Sequence, residues 1–176
     1  NTVDLFVCEN GFIALNPPLT GSRLGSLSTR TCHPVVLALL QQVMQAAGLR
    51  VREQNPFASY TKGEVLAQCL RQPELRAHAH TTTSCGRFKR FGYRHCGRCV
   101  PCLIRRAAFN AWGVPDQTLY VHADLAIDDL DHARSDDVRA TAMAIAEVED
   151  LGLDKWLGVA LSSPLIGDSA PMYRTV

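Results

Sequence analysis

The sequence predicts an α/β fold with a mostly parallel sheet, a four-cysteine segment that binds zinc, and a helical C-terminal part. β-forming segments alternate with segments of helical apolar spacing in the first half of the chain. Four of the seven cysteines gather between positions 85 and 102. The last third of the chain is acidic and carries a further helical pattern.

The first half alternates between strand and helix signals. Val3–Cys8 is an apolar run of β-formers, and Phe12–Leu15 follows it after an Asn-Gly turn signal. Both segments are predicted to be buried strands or strand edges. Pro34 suits the first turn of a helix whose apolar residues keep helical spacing until Gly48. Leu49–Glu53 alternates in polarity and predicts the next strand.

A long loop and a capped helix complete this half. Segment 16–32 is rich in Gly and Pro, and ligands of parallel sheets gather in loops beyond the strand ends, so we expect this segment to border a ligand crevice. Thr61 and Glu64 form a predicted capping box, in which each side chain satisfies a free backbone N–H of a helix running to about Arg71. Pro73 is predicted to end that helix.

The second half is predicted to be helical. Leu103–Trp112 is a basic amphipathic segment that Gly113 terminates. Ser135 is a good N-cap for a further helix that stops at Gly152.

Composition excludes several classes of protein. Hydrophobic residues make up 47% and charged residues 20%, as in globular rather than disordered or fibrous chains. The longest apolar run, Val35–Leu40, is far shorter than the roughly 20 residues that cross a bilayer. Because the chain opens without an initiator Met or a basic leader, we expect a fragment of a longer protein. The cysteine spacing is atypical of a disulfide framework and favours a reducing cytoplasm.

Charge is divided unevenly along the chain. Positions 1–115 carry 14 Lys and Arg against five Asp and Glu, whereas positions 116–176 carry four against 12. A basic part of this kind suits phosphates, carboxylates or nucleic acid, although charge runs are more often solvated faces.

Four cysteines are spaced as ligands of one metal ion. They are Cys85, Cys96, Cys99 and Cys102. Two consecutive Cys-x2-Cys spacings place thiolates about one metal–sulfur shell apart, and four thiolates leave no open position for water, so we predict structural zinc. Gly97 lets the backbone fold closely around the ion, and His95 is surplus to the four ligands. Free thiols or disulfides are the alternative.

Cations and aromatic residues surround these cysteines. The cations are Arg87, Lys89, Arg90, Arg94, Arg98, Arg105 and Arg106, and the aromatic residues are Phe88, Phe91 and Tyr93. Such a mixture is typical of sites for a nucleotide or single-stranded nucleic acid. The alternative hypothesis is that the arginines screen the thiolate charge and meet the acidic second part of the chain.

Taken together, these motifs resemble the C-terminal half of the 7-cyano-7-deazaguanine synthase (QueC) family. The resemblance rests on Thr61-Lys62-Gly63-Glu64, Thr83-Ser84-Cys85 and the segment from Cys96 to Phe109, and it covers about Thr2 to Trp112. It implies an adenine nucleotide α-hydrolase-like (Rossmann-like) fold and zinc on the four cysteines. The segments 9–19 and 25–34 depart from the housekeeping enzymes and resemble the QueC-like protein of Qat-type anti-phage systems.

The resemblance implies an ATP-dependent ligase. ATP would adenylate the carboxylate of a 7-carboxy-7-deazaguanine with release of pyrophosphate, and an amine would then attack the activated acyl group. The family's Ser-Gly-Gly-x-Asp-Ser phosphate loop is not found in this sequence, so we expect a C-terminal fragment that lacks the first strands. Arg23, Arg30 and Lys62 are the candidate substrate-binding cations, and no catalytic residue is assigned.

The resemblance also suggests a division of the chain and a set of partners. We predict a partial nucleotide-binding domain at 1–84, a zinc-binding segment at 85–113 and an acidic helical part at 114–176. The expected partners are ATP, a deazaguanine-type small molecule and a protein of a defence system, with no membrane. The alternative function is a catalytically inactive, zinc-stabilised module that binds a partner protein or nucleic acid.

Overall fold

The computed structural model describes residues 2–17, 19, 32–127 and 137–161. The chain divides into two compact units, one of Asn1–Thr61 with Leu151–Val176 and one of Lys62–Asp150. The three-part division given above stays a prediction. Within the described ranges, no helix combines the length and the apolar character needed to span a lipid bilayer.

The described strands lie in the first unit together with helices, and the described elements of the second unit are helices. In chain order they are β1 (Val3–Phe6), α1 (Gly11–Leu15), α2 (Pro34–Ala46), β2 (Val51–Gln54), α3 (Lys62–Ala67), α4 (Gln72–His78), α5 (Val100–Trp112), α6 (Asp137–Leu151) and α7 (Leu153–Leu161), with 3-10 helices at Ala79–Thr81 and Lys89–Phe91.

A two-stranded parallel sheet organises the first unit. β1 pairs with β2 from Val3 opposite Val51 to Phe6 opposite Gln54. α2 lies between the two strands in sequence and packs against β2. The Gln41 side chain fastens it, since its Nε2 donates to the Val51 carbonyl and its Oε1 accepts from the Glu53 N–H, both at 2.8 Å. The predicted α/β character with parallel strands is therefore confirmed.

Two sequence expectations for β1 and α1 are wrong. Phe12–Leu15 lies in a helix rather than a strand, because the buried Asn10 is an N-cap whose Oδ1 accepts from the Ile13 N–H at 3.2 Å. β1 is a strand as predicted but is not buried, since Val3 is 64% and Phe6 58% exposed. The Asn-Gly pair therefore opens a helix here.

The prediction of a helix from Pro34 is confirmed, and the strand after it is shifted. His33 is the N-cap, and its Nδ1 accepts from the Val35 N–H at 3.3 Å. Gly48 follows the helix with a φ of +73°. β2 begins two residues later than Leu49. Of the predicted crevice loop at 16–32, nearly all lies outside the described residues.

The second unit is centred on the packing of α3 against α5. Gly63 is buried at this contact, and a Cβ built on it would lie 2.7 Å from the Ala111 Cβ. A glycine is therefore what allows the two helices to approach so closely. A small core of Ala79, Phe109 and Trp112 lies at the end of α5.

The boundary between α3 and α4 differs from the prediction. The helix starts after Thr61 as expected but ends at Ala67, and Pro73 lies in the first turn of α4 instead of ending α3. Proline suits that position because it needs no N–H there. The Gln72 side chain makes the break, since its Nε2 donates to the carbonyls of Leu66 at 2.8 Å and Cys69 at 2.9 Å.

The later helices follow their predicted termination signals. α5 ends at Gly113, which has a φ of +69°, and α6 ends before Gly152, which has a φ of +82°. α5 begins at Val100, earlier than expected, because Cys99 is its N-cap. The predicted N-cap Ser135 lies outside the described residues, and α7 was not predicted.

Candidate metal centre

Two segments of the second unit bring the four cysteines together. Cys85 follows the first 3-10 helix, while Cys96, Cys99 and Cys102 lead into the first turn of α5. All four are buried, and Cys96 and Cys102 have no exposed surface. Their four Sγ atoms lie within 4.8 Å of one another. This is the group predicted from the cysteine spacing.

The sulfur geometry fits a single tetrahedral ion. The Sγ atoms of Cys96 and Cys102 are 3.9 Å apart, and those of Cys85 and Cys99 are 3.8 Å apart. A tetrahedron with metal–sulfur bonds of about 2.3 Å has edges of about 3.8 Å. A disulfide requires a bond of about 2.05 Å, and all four thiols are free. The arrangement could hold a metal ion and is not a disulfide pair.

Backbone amides point at two of the sulfurs. The N–H groups of Arg87 and Cys96 both donate to Cys85 Sγ at 3.3 Å, and the N–H of Cys99 donates to Cys96 Sγ at 3.3 Å. Hydrogen bonds to an ionised group favour its ionised form. The turns around Cys85 and Cys96 are therefore built to receive thiolate charge.

Hydrogen bonding among the sulfurs favours the thiolate form of Cys96. Hydrogen bonds donated by Cys102 and then Cys99 lower the pKa of the Cys96 thiol, whereas donation to Cys96 raises the pKa of Cys102. One thiolate is thus stabilised at the expense of its neighbours. A divalent ion bound to all four sulfurs would deprotonate the others as well.

A second segment supports the turn from Cys96 to Cys99. His95 and Tyr120 form a parallel bridge, and the N–H of His122 donates to the Cys96 carbonyl at 3.0 Å. Gly97 has a φ of +89°, and an added Cβ would overlap the His122 carbonyl oxygen. The sequence analysis missed this support, although the β-forming run Thr118 to Val121 was its signal.

His95 lies beside the sulfur group and is not part of it. Its ring stacks edge-on against Phe88 at 5.3 Å and Tyr120 at 6.0 Å between ring centroids. Burial, and then the Arg105 charge, lowers the pKa of His95, which keeps the imidazole neutral at pH 7. His95 therefore packs against the metal centre as an aromatic ring.

Several arginines of the basic segment are used to hold the fold. Arg105 is buried and donates to Thr118 Oγ1 at 2.8 Å, to Thr82 Oγ1 at 3.0 Å and to the Ala79 carbonyl at 2.6 Å. Arg98 is also buried and donates to the Ile127 carbonyl at 2.9 Å. Their guanidinium groups cross-link chain segments, so these two side chains are unavailable to a surface ligand.

Another arginine meets the acidic second part of the chain. Arg87 forms an ion pair with Asp137, with 3.7 Å between Nη2 and Oδ2. The same Asp137 carboxylate accepts from the Val100 N–H at 3.2 Å, which places a negative charge at the start of α5. For Arg87, the structure supports the alternative hypothesis that basic residues meet the acidic part.

The described part of the chain does not bring the three candidate substrate-binding cations together. Lys62 is the half-buried first residue of α3 and is not among the residues of the metal group. Arg23 and Arg30 lie outside the described residues. Their role in substrate binding stays a prediction.

The segment that holds this centre matches a known family. Residues 30–113 match the model of queuosine biosynthesis protein QueC. The matched range includes all four cysteines and runs from α2 to the end of α5. The predicted resemblance to the QueC family is therefore confirmed over this range. The likeness of segments 9–19 and 25–34 to Qat-type proteins stays a prediction.

Two of the curated relatives are 7-cyano-7-deazaguanine synthases. The chain is 35% identical over 96 residues to the 7-cyano-7-deazaguanine synthase of Paracoccus denitrificans, which covers 53% of this chain and 39% of that enzyme. It is also 35% identical over 96 residues to the 7-cyano-7-deazaguanine synthase of Ralstonia pickettii. That match covers 51% of this chain and 41% of that enzyme. The chain thus spans about two fifths of the length of these relatives. No solved structure matches it.

Proposed function

We propose that this chain is the C-terminal, zinc-bearing part of an ATP-dependent QueC-like ligase. The observation that carries the proposal is the grouping of four buried cysteine sulfurs inside the segment that matches the QueC model. The two parallel strands joined through α2 support a partial adenine nucleotide α-hydrolase-like sheet.

The metal in this proposal is structural zinc. Four cysteine sulfurs are a donor set that zinc favours, and they leave no coordination position for water or substrate. Bound zinc would supply a cross-link between the turn at Cys85 and the start of α5. The four cysteines would hold the ion, and Gly97 lets the turn between Cys96 and Cys99 lie close to the His122 carbonyl.

The proposed reaction joins a carboxylate to an amine. ATP activates a 7-carboxy-7-deazaguanine-type carboxylate as an acyl-adenylate, pyrophosphate leaves, and the amine displaces AMP. Arg23, Arg30 and Lys62 are proposed to neutralise charge on phosphate and acyl oxygens. The resemblance to Qat-type proteins extends the proposal to anti-phage defence in the cytoplasm, with a partner protein as one source of the amine.

The test of this function uses the full-length parent of the chain. Given ATP and 7-carboxy-7-deazaguanine, it should release AMP and pyrophosphate in step with a new amide or nitrile product, detected by mass spectrometry. A parent that binds zinc but converts none of the deazaguanine carboxylates offered to it would contradict the ligase. The second candidate, an inactive zinc-stabilised binding module, would then be the better account.

A further inference from the structure

The basic residues around the metal centre fall into two groups. The side chains of Arg87, Arg98, Arg105 and Arg106 bind other described residues. Lys89, Arg90 and Arg94 are exposed, and their side chains make no hydrogen bond or ion pair with any residue that the structure describes. Three of the seven cations therefore face solvent within six residues of one another.

These three cations lie on a hydrogen-bonded turn, which we call the knuckle turn (residues 88–94). The N–H of Tyr93 donates to the Phe88 carbonyl at 3.0 Å, and the N–H of Gly92 donates to the Lys89 carbonyl at 3.3 Å. Gly92 is left-handed, with a φ of +61°. This pair of hydrogen bonds around a left-handed glycine is a Schellman motif. The motif sets the direction of the chain at Tyr93.

The knuckle turn is anchored on the metal centre. Phe88 and Phe91 pack against the cysteine cluster, and the Phe88 ring meets His95. Tyr93 contacts Phe88 edge-on with 6.0 Å between ring centroids, yet it is 69% exposed. An aromatic ring is thus presented to solvent by a turn that is hydrogen-bonded internally and packed on the cysteine cluster, and such ordering before binding lowers the entropy lost when a ligand binds.

An exposed aromatic ring flanked by cations is the chemistry that binds single-stranded nucleic acid. Unpaired bases stack on the ring, and the adjacent phosphates pair with the cations. A duplex hides the faces of its bases, and a run of Asp and Glu side chains offers no flat ring to stack. We propose that the knuckle turn binds single-stranded nucleic acid, with a base on Tyr93 and phosphates on Lys89, Arg90 and Arg94.

The experiment measures binding of the intact chain to a fluorescein-labelled oligothymidylate of about 12 nucleotides, a length within the site sizes of single-strand binders. Fluorescence anisotropy is recorded at several salt concentrations from roughly 50 mM upward. Three phosphate contacts should give a slope of about −2 for log K against log salt, and each of K89Q, R90Q and R94Q should reduce that slope by about 0.7. The R50Q variant, which removes an exposed cation of the other unit, should leave it unchanged.

The aromatic part of the proposal has its own variants. Y93A should weaken binding roughly tenfold, whereas Y93F should retain it because the stacking surface is kept. Circular dichroism and zinc content should match those of the parent chain in each variant. The proposal is overturned if the oligonucleotide does not bind, if Y93A binds as tightly as Y93F, or if polyglutamate competes equally well, which would indicate an acidic protein partner.

Discussion

Gly97 lies where the turn between Cys96 and Cys99 passes closest to the segment around His122. Its φ of +89° is unfavourable for any other residue, and an added Cβ would overlap the His122 carbonyl oxygen. We expect Gly97→Ala to lower the free energy of unfolding by about 3 kcal/mol. Urea unfolding of the metal-loaded protein measures this loss.

Gly86 provides the matched control for that variant. It adjoins Cys85, and a Cβ built on it meets nothing within 4 Å. Gly86→Ala should change the free energy of unfolding by less than about 0.5 kcal/mol, as for other open surface positions. Equal losses in the two variants would show that the backbone approach at Gly97 does not limit stability.

The four cysteines should couple zinc binding to folding. Cys99→Ser should abolish stoichiometric zinc and unfold residues 85–112, because metal binding to a closed site is coupled to folding. Elemental analysis and hydrogen exchange measure the two effects, and the free, half-buried Cys69 gives the control Cys69→Ser. An unmutated 176-residue chain that is folded without one zinc per molecule would refute the structural zinc site.

Single residues also show what the sequence could and could not predict. The four cysteines were predictable because their ligand spacing lies within one short stretch of sequence. The support from Tyr120 and His122 was missed, since it depends on a bridge between residues 25 positions apart. The seven cations looked alike in sequence, and only packing separates the buried Arg105 from the exposed Arg94.

At the scale of elements, the glycines that end helices were predicted correctly, whereas segments that carry signals for two different structures were not. Gly113 and Gly152 end their helices as predicted, because a left-handed residue terminates a helix without tertiary help. The prediction at Phe12–Leu15 failed because capping by Asn10 outweighed the apolar pattern of a strand. The prediction that Pro73 ends α3 failed because proline is compatible with the end and with the first turn of a helix. Pro73 lies in the first turn of α4, and the Gln72 side chain before it donates to the Leu66 carbonyl of α3.

The contact between α3 and α5 carries the prediction for this scale. A Cβ on Gly63 would lie 2.7 Å from the Ala111 Cβ, which has no flexible atoms to move aside. Gly63→Ala should therefore lower the free energy of unfolding by about 1 to 3 kcal/mol, despite the better helix propensity of alanine.

A double-mutant cycle separates this clash from other effects. Ala111→Gly removes the opposing Cβ. In that background, Gly63→Ala should lower the free energy of unfolding by at least about 1 kcal/mol less than it does in the unmutated chain. Denaturant unfolding of the four proteins gives the coupling energy. Additive effects of the two substitutions would mean that α3 and α5 are not held together through this pair.

For the whole molecule, the division into a basic and an acidic part was visible in the sequence, but the residues that pair with each other were not. The ion pair between Arg87 and Asp137 joins a cation of the basic part to a carboxylate of the acidic part. The same carboxylate accepts a hydrogen bond from the Val100 N–H at the start of α5, next to the cysteine cluster. Composition gives the sign of each part, whereas tertiary packing selects which residues pair.

The last prediction concerns catalysis by the 176-residue chain itself. Release of pyrophosphate requires backbone amides and a cation around the ATP phosphates, and the sequence contains no Ser-Gly-Gly-x-Asp-Ser loop to supply those amides. We therefore expect the isolated chain neither to hydrolyse ATP nor to form an acyl-adenylate, whereas the full-length ligase of the proposed function should do both. Quantitation of AMP and pyrophosphate measures the first activity, and mass spectrometry detects the second. Turnover by the isolated chain that survives repurification and disappears in Lys62→Ala would place a phosphate site within these residues, because a contaminating ATPase would not respond to that substitution.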